Sequence, residues 1–201
     1  MSLWITGAGG SQNWKSGVPD FSELAWLFTC DNRNRGLIRM NFDEAALLWR
    51  AVRETNGDIL EIGSRFGGST ILLAASGRHV VTIDIDPYWS DRVKDVLRGR
   101  VELIVGDSTH VDLGERKFGL ALIDGEHSLS GVAGDVRNHW RNIEVGGLVA
   151  FHDAVANDGL RYEKKDNHFA GVWIICQALL MSGDASEWGR AGSMLVLRKL
   201  K

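Results

Sequence analysis

Acidic side chains and histidines follow a series of apolar runs in this 201-residue chain. They are Asp84, Asp107, Asp124 and the pair His152 and Asp153. If the runs form parallel strands of one open sheet, their carboxyl ends share an edge, and ligands bind at that edge. A solvated strand end often carries an acid for no functional reason, but the repetition favours a shared site.

A glycine-rich turn precedes these residues, with the sequence EIGSRFGGS at 61–69. It lies between the apolar run 58–62 and a helix-compatible stretch at 69–75, an order typical of the first strand, loop and helix of a nucleotide-binding sheet. Because glycine lacks a Cβ, the backbone there can turn tightly and approach a ligand closely. The spacing departs from the dinucleotide fingerprint Gly-x-Gly-x-x-Gly. Its glycines are Gly63, Gly67 and Gly68.

The charge beside the turn indicates which ligand it accepts. The carboxylate of Glu61 would repel a pyrophosphate, and it suits a ligand with an ammonium and a sulfonium group, such as S-adenosylmethionine (SAM). Asp84 comes about 20 residues beyond the turn, where a neighbouring parallel strand presents a carboxylate to ribose hydroxyls. On the turn alone, a glycine-rich β-turn without a ligand stays open, since a lone glycine loop is a weak signal.

Apolar runs and helical spacing predict the elements that would position these residues. The predicted strands cover 58–62, 79–84, 101–105, 118–123, 147–151 and 193–198. The predicted helices cover 21–29, 43–55, 69–75, 87–97 and 129–142. This alternation predicts an α/β fold with a doubly wound, mostly parallel sheet in one domain, 1–201. Residues 1–55 would form an N-terminal extension with helices, and 56–201 the cofactor-binding core.

Bulk composition argues against several classes of protein. Hydrophobic residues make up 44% and charged residues 24%, as in ordinary globular domains, and the net charge of -3 gives no reason to expect a nucleic-acid partner. No apolar run approaches the roughly 20 residues of a membrane helix. Cys30 and Cys176 are far apart, which suits a reducing cytoplasm better than a disulfide framework. We therefore expect a cytoplasmic protein without a membrane partner, with Cys176 in the core.

Five segments together resemble the class I SAM-dependent methyltransferases, and among these the small O-methyltransferases of the catechol and macrolide-sugar type. The segments are 61–69, 82–87, 106–108, 122–128 and 146–153. The resemblance implies a Rossmann-like, seven-stranded sheet with an antiparallel C-terminal strand beside the fifth. It also implies SAM as the cofactor and methyl transfer to a hydroxyl of a small molecule, such as a phenol, a sugar or a natural product.

The resemblance assigns cofactor-binding roles to the turn and to the strand ends. The residues concerned are Glu61, Gly63, Gly67, Gly68, Ser69, Asp84, Asp107, Ser108 and Asp124. Glu61 would lie near the ammonium of SAM, the glycines would surround its methionine end, and Ser69 would bind its carboxylate or cap the following helix. Asp84 would accept the ribose hydroxyls, while Asp107 and Ser108 would border the adenine.

Catalysis is expected after the fourth and fifth strands. Methyl transfer from a sulfonium is an in-line displacement, so an acceptor oxygen must lie behind the methyl group and lose its proton easily. In the resembled enzymes a divalent cation assists, held by an acid after the fourth strand and a pair of residues after the fifth. The corresponding residues here are Asp124 and the pair His152 and Asp153. His127, three residues after Asp124, is the candidate base, because histidine titrates near neutral pH. Its alternative role is to cap the next helix or to form a hydrogen bond with the backbone.

His152 departs from the resembled enzymes, which carry Asp-Asn or Glu-Asp at this pair. An imidazole is a poorer ligand than oxygen for Mg²⁺ and a better one for transition metals. Three hypotheses stay open. Asp124 and Asp153 hold the metal with His152 as a minor ligand, the site prefers Mn²⁺ or a similar ion, or no metal is needed and His152 acts as a base.

Other functions also stay open. They are a metal-independent methyltransferase acting on nitrogen or a carboxylate, an NAD-type oxidoreductase, and a non-catalytic nucleotide-binding protein. The incomplete dinucleotide fingerprint and Glu61 argue against the oxidoreductase. The polar segment 154–170 is either a lid over the acceptor or a surface loop. We expect a small-molecule acceptor as partner, and the N-terminal helices would allow a homodimer.

Overall fold

The computed structural model describes Leu24, Leu27 and residues 37–154 and 170–201. These residues form five α-helices and seven strands. They are α1 (Phe42–Glu54), β1 (Asp58–Ile62), α2 (Gly68–Ala74), β2 (Val80–Asp84), α3 (Asp91–Leu97), β3 (Val101–Val105), β4 (Phe118–Ile123), α4 (Leu129–His139), β5 (Ile143–Phe151), α5 (Ala170–Met181), β6 (Ala185–Ala191) and β7 (Met194–Lys199). A 3-10 turn, Trp140–Asn142, joins α4 to β5.

The strands of the described residues form one seven-stranded sheet in the order β3-β2-β1-β4-β5-β7-β6. The neighbours from β3 to β5 pair in parallel, and β7 pairs antiparallel with both β5 and β6. Six strands therefore run one way and β7 runs the other. This confirms the expected doubly wound, mostly parallel sheet with an antiparallel C-terminal strand beside the fifth.

The register of the sheet aligns the strand ends. Ile62 pairs with Ile83 of β2 and Ile123 of β4, and Ile123 pairs in turn with Phe151 of β5. Adjacent strands lie about 4.8 Å apart, so the residues that follow these positions stand side by side. The glycine turn, Asp84, Asp124 and His152 therefore meet at one edge, as the sequence predicts.

Both faces of the sheet are covered by helices. One core contains α1, α2 and α3 with Leu24 and Leu27, and the other contains α4 and α5. Strands β1 and β4 and the second half of β5, residues 147–151, are buried on both sides, which explains their nearly continuous apolar runs. Cys176 of α5 is fully buried, as expected from the sequence. No helix among the described residues has the length and apolarity needed to cross a bilayer.

The helix predicted at 87–97 begins later than expected. Its first residue is Asp91, and the Ser90 side chain caps it by accepting a hydrogen bond from the Val93 N–H. The preceding residues bind the glycine turn instead, because the Tyr88 N–H donates to the carbonyl oxygen of Arg65. Strand β5 is also longer than predicted, and β6 was not located from the sequence.

Two predicted features lie almost entirely outside the described residues, which include only Leu24 and Leu27 of the first and Ala154 and Ala170 of the second. They are the helix at 21–29 with most of the N-terminal extension, and the segment 154–170.

Candidate cofactor and catalytic site

Two glycines of the turn lie too close to the backbone of other segments to carry a side chain. Gly63 has a φ of +88°, and a Cβ there would overlap the carbonyl oxygen of Asp124. A Cβ on Gly68 would overlap the carbonyl group of Leu37. The turn therefore packs directly against the segment after β4 on one side and the approach to α1 on the other.

Asp84 holds the turn in shape. Its Oδ2 accepts hydrogen bonds from the backbone N–H groups of Ser64 at 2.8 Å and Arg65 at 2.7 Å. Its Oδ1 accepts from the backbone N–H of Asp86 at 2.8 Å. These bonds explain how Arg65 adopts a φ of +43°, which is uncommon for a residue with a Cβ. The residue predicted to bind ribose is thus also an anchor for the turn.

Glu61 lies beneath the turn and is fully buried. Its Oε2 accepts hydrogen bonds from the hydroxyls of Thr70 at 2.6 Å and Thr82 at 2.7 Å. Its Oε1 has no hydrogen-bond partner among the described residues. Burial raises the pKa of Glu61 to about 7, although the hydroxyls of Ser69, Thr70 and Thr82 favour the ionised form. The predicted partner of an ammonium is therefore an incompletely satisfied buried carboxyl group.

Two adjoining cavities lie above the strand ends, with volumes of about 320 Å³ and about 420 Å³. Both are lined by Gly63, Arg65, Asp124 and Gly125, so they form one cleft. We call the smaller part the catalytic cavity and the larger part the adenosine cavity, after the roles that the sequence predicts for His127 in the one and for Asp107 and Ser108 in the other. A cleft of this size at the carboxyl edge of a parallel sheet suits a nucleoside-bearing ligand.

The predicted cofactor-binding residues divide between the two cavities. The catalytic cavity is lined by Gly63, Gly68, Ser69 and Asp124, and the adenosine cavity by Gly63, Asp84, Asp107, Ser108 and Asp124. Glu61 and Gly67 line neither. Gly67 is the left-handed N-cap of α2, with a φ of +81°. Direct contact with the cofactor remains a prediction for each of them.

The adenosine cavity contains a buried acid that the sequence patterns did not indicate as a site residue. Asp135 of α4 is buried and accepts a hydrogen bond from the Ser108 hydroxyl. Burial raises the pKa of Asp135 to about 6, against the effect of that bond. In the sequence Asp135 looks like an ordinary polar helix residue, and only its contact with Ser108, in the loop after β3, reveals its place in the cavity.

Four predicted catalytic or metal-binding residues meet in the catalytic cavity. The His152 Nδ1 lies 3.2 Å from Asp124 Oδ1 and 3.4 Å from Asp153 Oδ2. The His127 Nε2 lies 3.3 Å from Asp153 Oδ2 and 3.6 Å from Asp124 Oδ1. Burial works against the charge of Asp124, but hydrogen bonds with the two histidines lower its pKa. Asp153 has a φ of +54°, a strained conformation of the kind found at functional sites.

Glu44 is a member of this site that the sequence analysis missed. Its Oε2 lies 3.3 Å from the His152 Nε2, and its Oε1 accepts hydrogen bonds from the Ser193 N–H and hydroxyl, each at 2.7 Å. The only signal was a capping box, in which Glu44 accepts from the Asn41 N–H at 2.6 Å. That pattern predicts a helix start and gives no indication of the distant partners.

The carboxylates around His152 control its protonation. Burial alone would lower the pKa of His152, but hydrogen bonds with Asp124, Asp153 and Glu44 raise it to about 12. Burial would raise the pKa of Glu44, but its hydrogen bonds with His152 and Ser193 lower it to about 2. In this protonation state the site is an imidazolium held between carboxylates.

The same residues fit a divalent cation. Asp124, His152 and Asp153 each offer one ligand atom, and these atoms lie within 4.8 Å of one another. Two carboxylates and an imidazole form a donor set that divalent ions accept, and the imidazole favours a transition metal. A metal ion at the His152 Nδ1 would take the place of a proton.

Comparison with known proteins shows similarity to a methyltransferase family and to solved structures of the same fold. Residues 60–154 match a family described as a methyltransferase domain. A search of curated proteins finds no match to the chain. Among solved structures, a candidate caffeoyl-CoA O-methyltransferase from Staphylococcus aureus is 15% identical with a TM-score of 0.68, covering 94% of this chain and 100% of that one.

Two further structures have relevant ligands. The O-methyltransferase TomG from Streptomyces achromogenes, involved in tomaymycin synthesis and in complex with SAM, is 17% identical, with a TM-score of 0.62 and 100% of both chains covered. The MycE methyltransferase of the mycinamycin pathway, in complex with Mg, S-adenosylhomocysteine (SAH) and mycinamycin VI, is 18% identical, with a TM-score of 0.64. The match covers 91% of this chain and 55% of MycE. At these identities the likeness shows the fold.

Proposed function

We propose that the protein transfers a methyl group from SAM to a hydroxyl of a small molecule, in keeping with the match of residues 60–154 to a methyltransferase domain. The observation that carries the proposal is the continuous cleft. Its adenosine cavity and its catalytic cavity meet at Gly63 and Asp124, so a bound nucleoside would extend toward His127. A reacting methyl group and a proton acceptor would then be close together.

The cofactor extends along the carboxyl edge of the sheet in this proposal. Asp107 and Ser108 border the adenine, Asp84 accepts the ribose hydroxyls, and the methionine end lies over the glycine turn. The Oε1 of Glu61, for which the described residues supply no hydrogen-bond donor, supports a contact with the ammonium of SAM, directly or through water, because a buried carboxylate oxygen without a donor is costly. The N-terminus of α2 at Gly68 and Ser69 supplies free backbone N–H groups for the carboxylate.

His127 acts as the base in this proposal. Its Nε2 lies beside Asp124 and Asp153, so the positive charge that it gains with the acceptor proton is stabilised by two carboxylates. The deprotonated oxygen attacks the methyl group in line with the departing sulfur. A divalent cation bound by Asp124, His152 and Asp153, either Mg²⁺ or Mn²⁺, would supply positive charge that stabilises the oxyanion.

Calorimetry with SAM, SAH and NAD tests the cofactor assignment. We expect SAM and SAH to bind and NAD to bind weakly or not at all. Methyl transfer from labelled SAM to phenols, sugars and natural-product hydroxyls then tests the reaction, with His127→Gln as the variant that should lose turnover but keep SAH affinity. Tight binding of NAD without binding of SAH would overturn the proposal.

A metal-independent methyltransferase is the second candidate, because a protonated His152 ring would bind the same carboxylates that a metal ion would. A protonated ring enclosed by three carboxylates supplies a fixed positive charge where the resembled enzymes use a metal. Activity in a chelator distinguishes the two candidates. Loss of turnover that Mg²⁺ or Mn²⁺ restores, but not in Asp153→Ala, supports the metal, and full turnover in chelator supports the imidazolium.

A further inference from the structure

Glu44 is bound more extensively than a helix cap requires. In a capping box the third helical residue has only to accept one hydrogen bond, from the N–H of the N-cap residue, and Glu44 accepts it from Asn41. The same carboxylate also binds the Ser193 N–H and hydroxyl and faces the His152 Nε2, while its side chain is only 2% exposed. Exposed caps perform the first task without burial, so the additional contacts need another explanation.

The turn between β6 and β7 has a glycine, Gly192, where it meets the carboxylate of Glu44. A Cβ on Gly192 would lie 2.5 Å from the Oε1 of Glu44, and Gly192 has a φ of +52°. The turn therefore closes directly on Glu44, and the neighbouring Ser193 holds it. Three separate parts of the chain, the start of α1, the start of β7 and the end of β5, converge on one side chain.

The effect of Glu44 is to orient His152. With the Nε2 of the ring facing Glu44, the Nδ1 faces Asp124 at 3.2 Å and Asp153 at 3.4 Å. Histidines that bind a metal through one nitrogen commonly donate the other N–H to a carboxylate, which fixes the ring and makes the ligating nitrogen more basic. Glu44 is placed for that role.

We infer, on the basis of the proposed function, that Glu44 is a positioning residue that presents the Nδ1 of His152 to a metal ion and makes the site select Mn²⁺ over Mg²⁺. The selectivity follows from the donor set, because an oriented imidazole adds nitrogen to a pair of carboxylates. Mg²⁺ prefers oxygen ligands, whereas Mn²⁺ and later transition metals accept nitrogen. The sequence alone left open which of these metal ions the site prefers.

The test compares metal affinities of the SAH-bound protein by calorimetry for Mg²⁺ and by loss of the free-ion electron paramagnetic resonance signal for Mn²⁺. The wild type should bind Mn²⁺ at least about tenfold more tightly than Mg²⁺. Glu44→Gln should weaken Mn²⁺ binding by roughly 10- to 100-fold and leave Mg²⁺ binding nearly unchanged, as expected for loss of an outer carboxylate. Asp43→Asn is the matched control, because Asp43 is an exposed acid in the same helical turn, and it should behave as the wild type.

Glu44→Asp provides a second variant if Glu44→Gln unfolds. It keeps the charge but withdraws the oxygen from the His152 Nε2, so it should also lose Mn²⁺ preference. The inference is overturned if the wild type binds Mn²⁺ no better than Mg²⁺, if it binds neither ion, or if the folded Glu44 variants keep the wild-type preference. Binding of SAH to the same samples is measured separately, so failure of the inference is distinguishable from failure of the proposed function.

Discussion

Two carboxylates beside the glycine turn accept hydrogen bonds within the protein and are also candidates for binding a ligand. Asp84 accepts the backbone N–H groups of Ser64 and Arg65, and Glu61 accepts two threonine hydroxyls. Substitution by alanine would therefore change the shape of the turn along with any cofactor contact. Amide substitutions keep an acceptor oxygen and are the more informative variants.

Glu61 should make the ligand-free protein less stable as pH rises. Its pKa is raised in the folded state to about 7, above the ordinary 4.5, so the folded state binds the proton more tightly than the unfolded state. The free energy of unfolding of the wild type should therefore fall relative to Glu61→Gln between about pH 4.5 and 7, by on the order of 2–3 kcal/mol. Urea denaturation at several pH values measures this.

The exposed Glu115 provides the control, because Glu115→Gln should follow the wild-type pH profile. Asp135, whose pKa is also raised, contributes equally to all three proteins. Parallel pH profiles for the wild type and Glu61→Gln would contradict the prediction.

Asp84→Asn should weaken SAH binding by roughly 10- to 100-fold, since a hydrogen bond to a charged group contributes about 1.5–3 kcal/mol. Both the ribose contact and the backbone bonds that shape the turn would be weakened. Calorimetry measures the affinity, with Asp86→Asn as a control for loss of charge in the same cavity. Unchanged affinity in Asp84→Asn would place the ribose elsewhere.

At the scale of elements, the junction of β1 with the loop after β4 fixes the geometry of the cleft. Gly63 follows β1, and its α-carbon packs against the carbonyl of Asp124 where a side chain would otherwise stand. This contact brings the turn and the candidate catalytic acid together. A side chain at Gly63 would separate them.

Gly63→Ala should therefore destabilise the protein more than a comparable substitution in open space. Gly77 is the matched control, because it has a φ of +79° and a Cβ added there would meet no atom of the described residues within 4 Å. Gly77→Ala should cost about 1 kcal/mol, from backbone strain alone. Gly63→Ala should cost about 2 kcal/mol more, because its clash adds overpacking to the strain. Chemical denaturation measures the free energy of unfolding of both variants. Equal losses in Gly63→Ala and Gly77→Ala would show that the contact with Asp124 is not tight.

At the scale of the whole molecule, the cleft is built from the carboxyl ends of parallel strands and closed by distant segments. Glu44 near the start of α1 and Ser193 before β7 meet beside His152. The β6–β7 hairpin otherwise lies at the far edge of the sheet. Ligand binding should therefore protect the backbone amides at the strand ends from exchange, and leave those of the hairpin unchanged.

Hydrogen exchange followed by mass spectrometry should detect this pattern. Saturating SAH should slow exchange in the segments 63–68, 84–86 and 107–109, because a ligand there covers and orders the backbone. Exchange within β6 should be unchanged, and NAD should protect none of these segments. Protection confined to other parts of the chain would place the nucleoside outside the cleft.

The sequence by itself determined the sheet and the row of residues at its edge. Strands β1 and β4 have the predicted bounds because buried parallel strands are continuous apolar runs. Their carboxyl ends must share an edge, so the amino-acid order alone was enough to group Asp84, Asp124 and the pair at 152 and 153. Strand β6 was missed because its exposed edge carries polar residues without a clear apolar pattern.

Only the tertiary structure decided what surrounds those residues. Glu44 lies 108 positions from His152 in the chain, and its local pattern describes a helix cap alone. The late start of α3 has the same origin, because Tyr88 binds Arg65 across the fold rather than continuing a helix. Periodicity and spacing describe neighbours along the chain, whereas the protonation and orientation of His152 depend on side chains that only folding brings into contact.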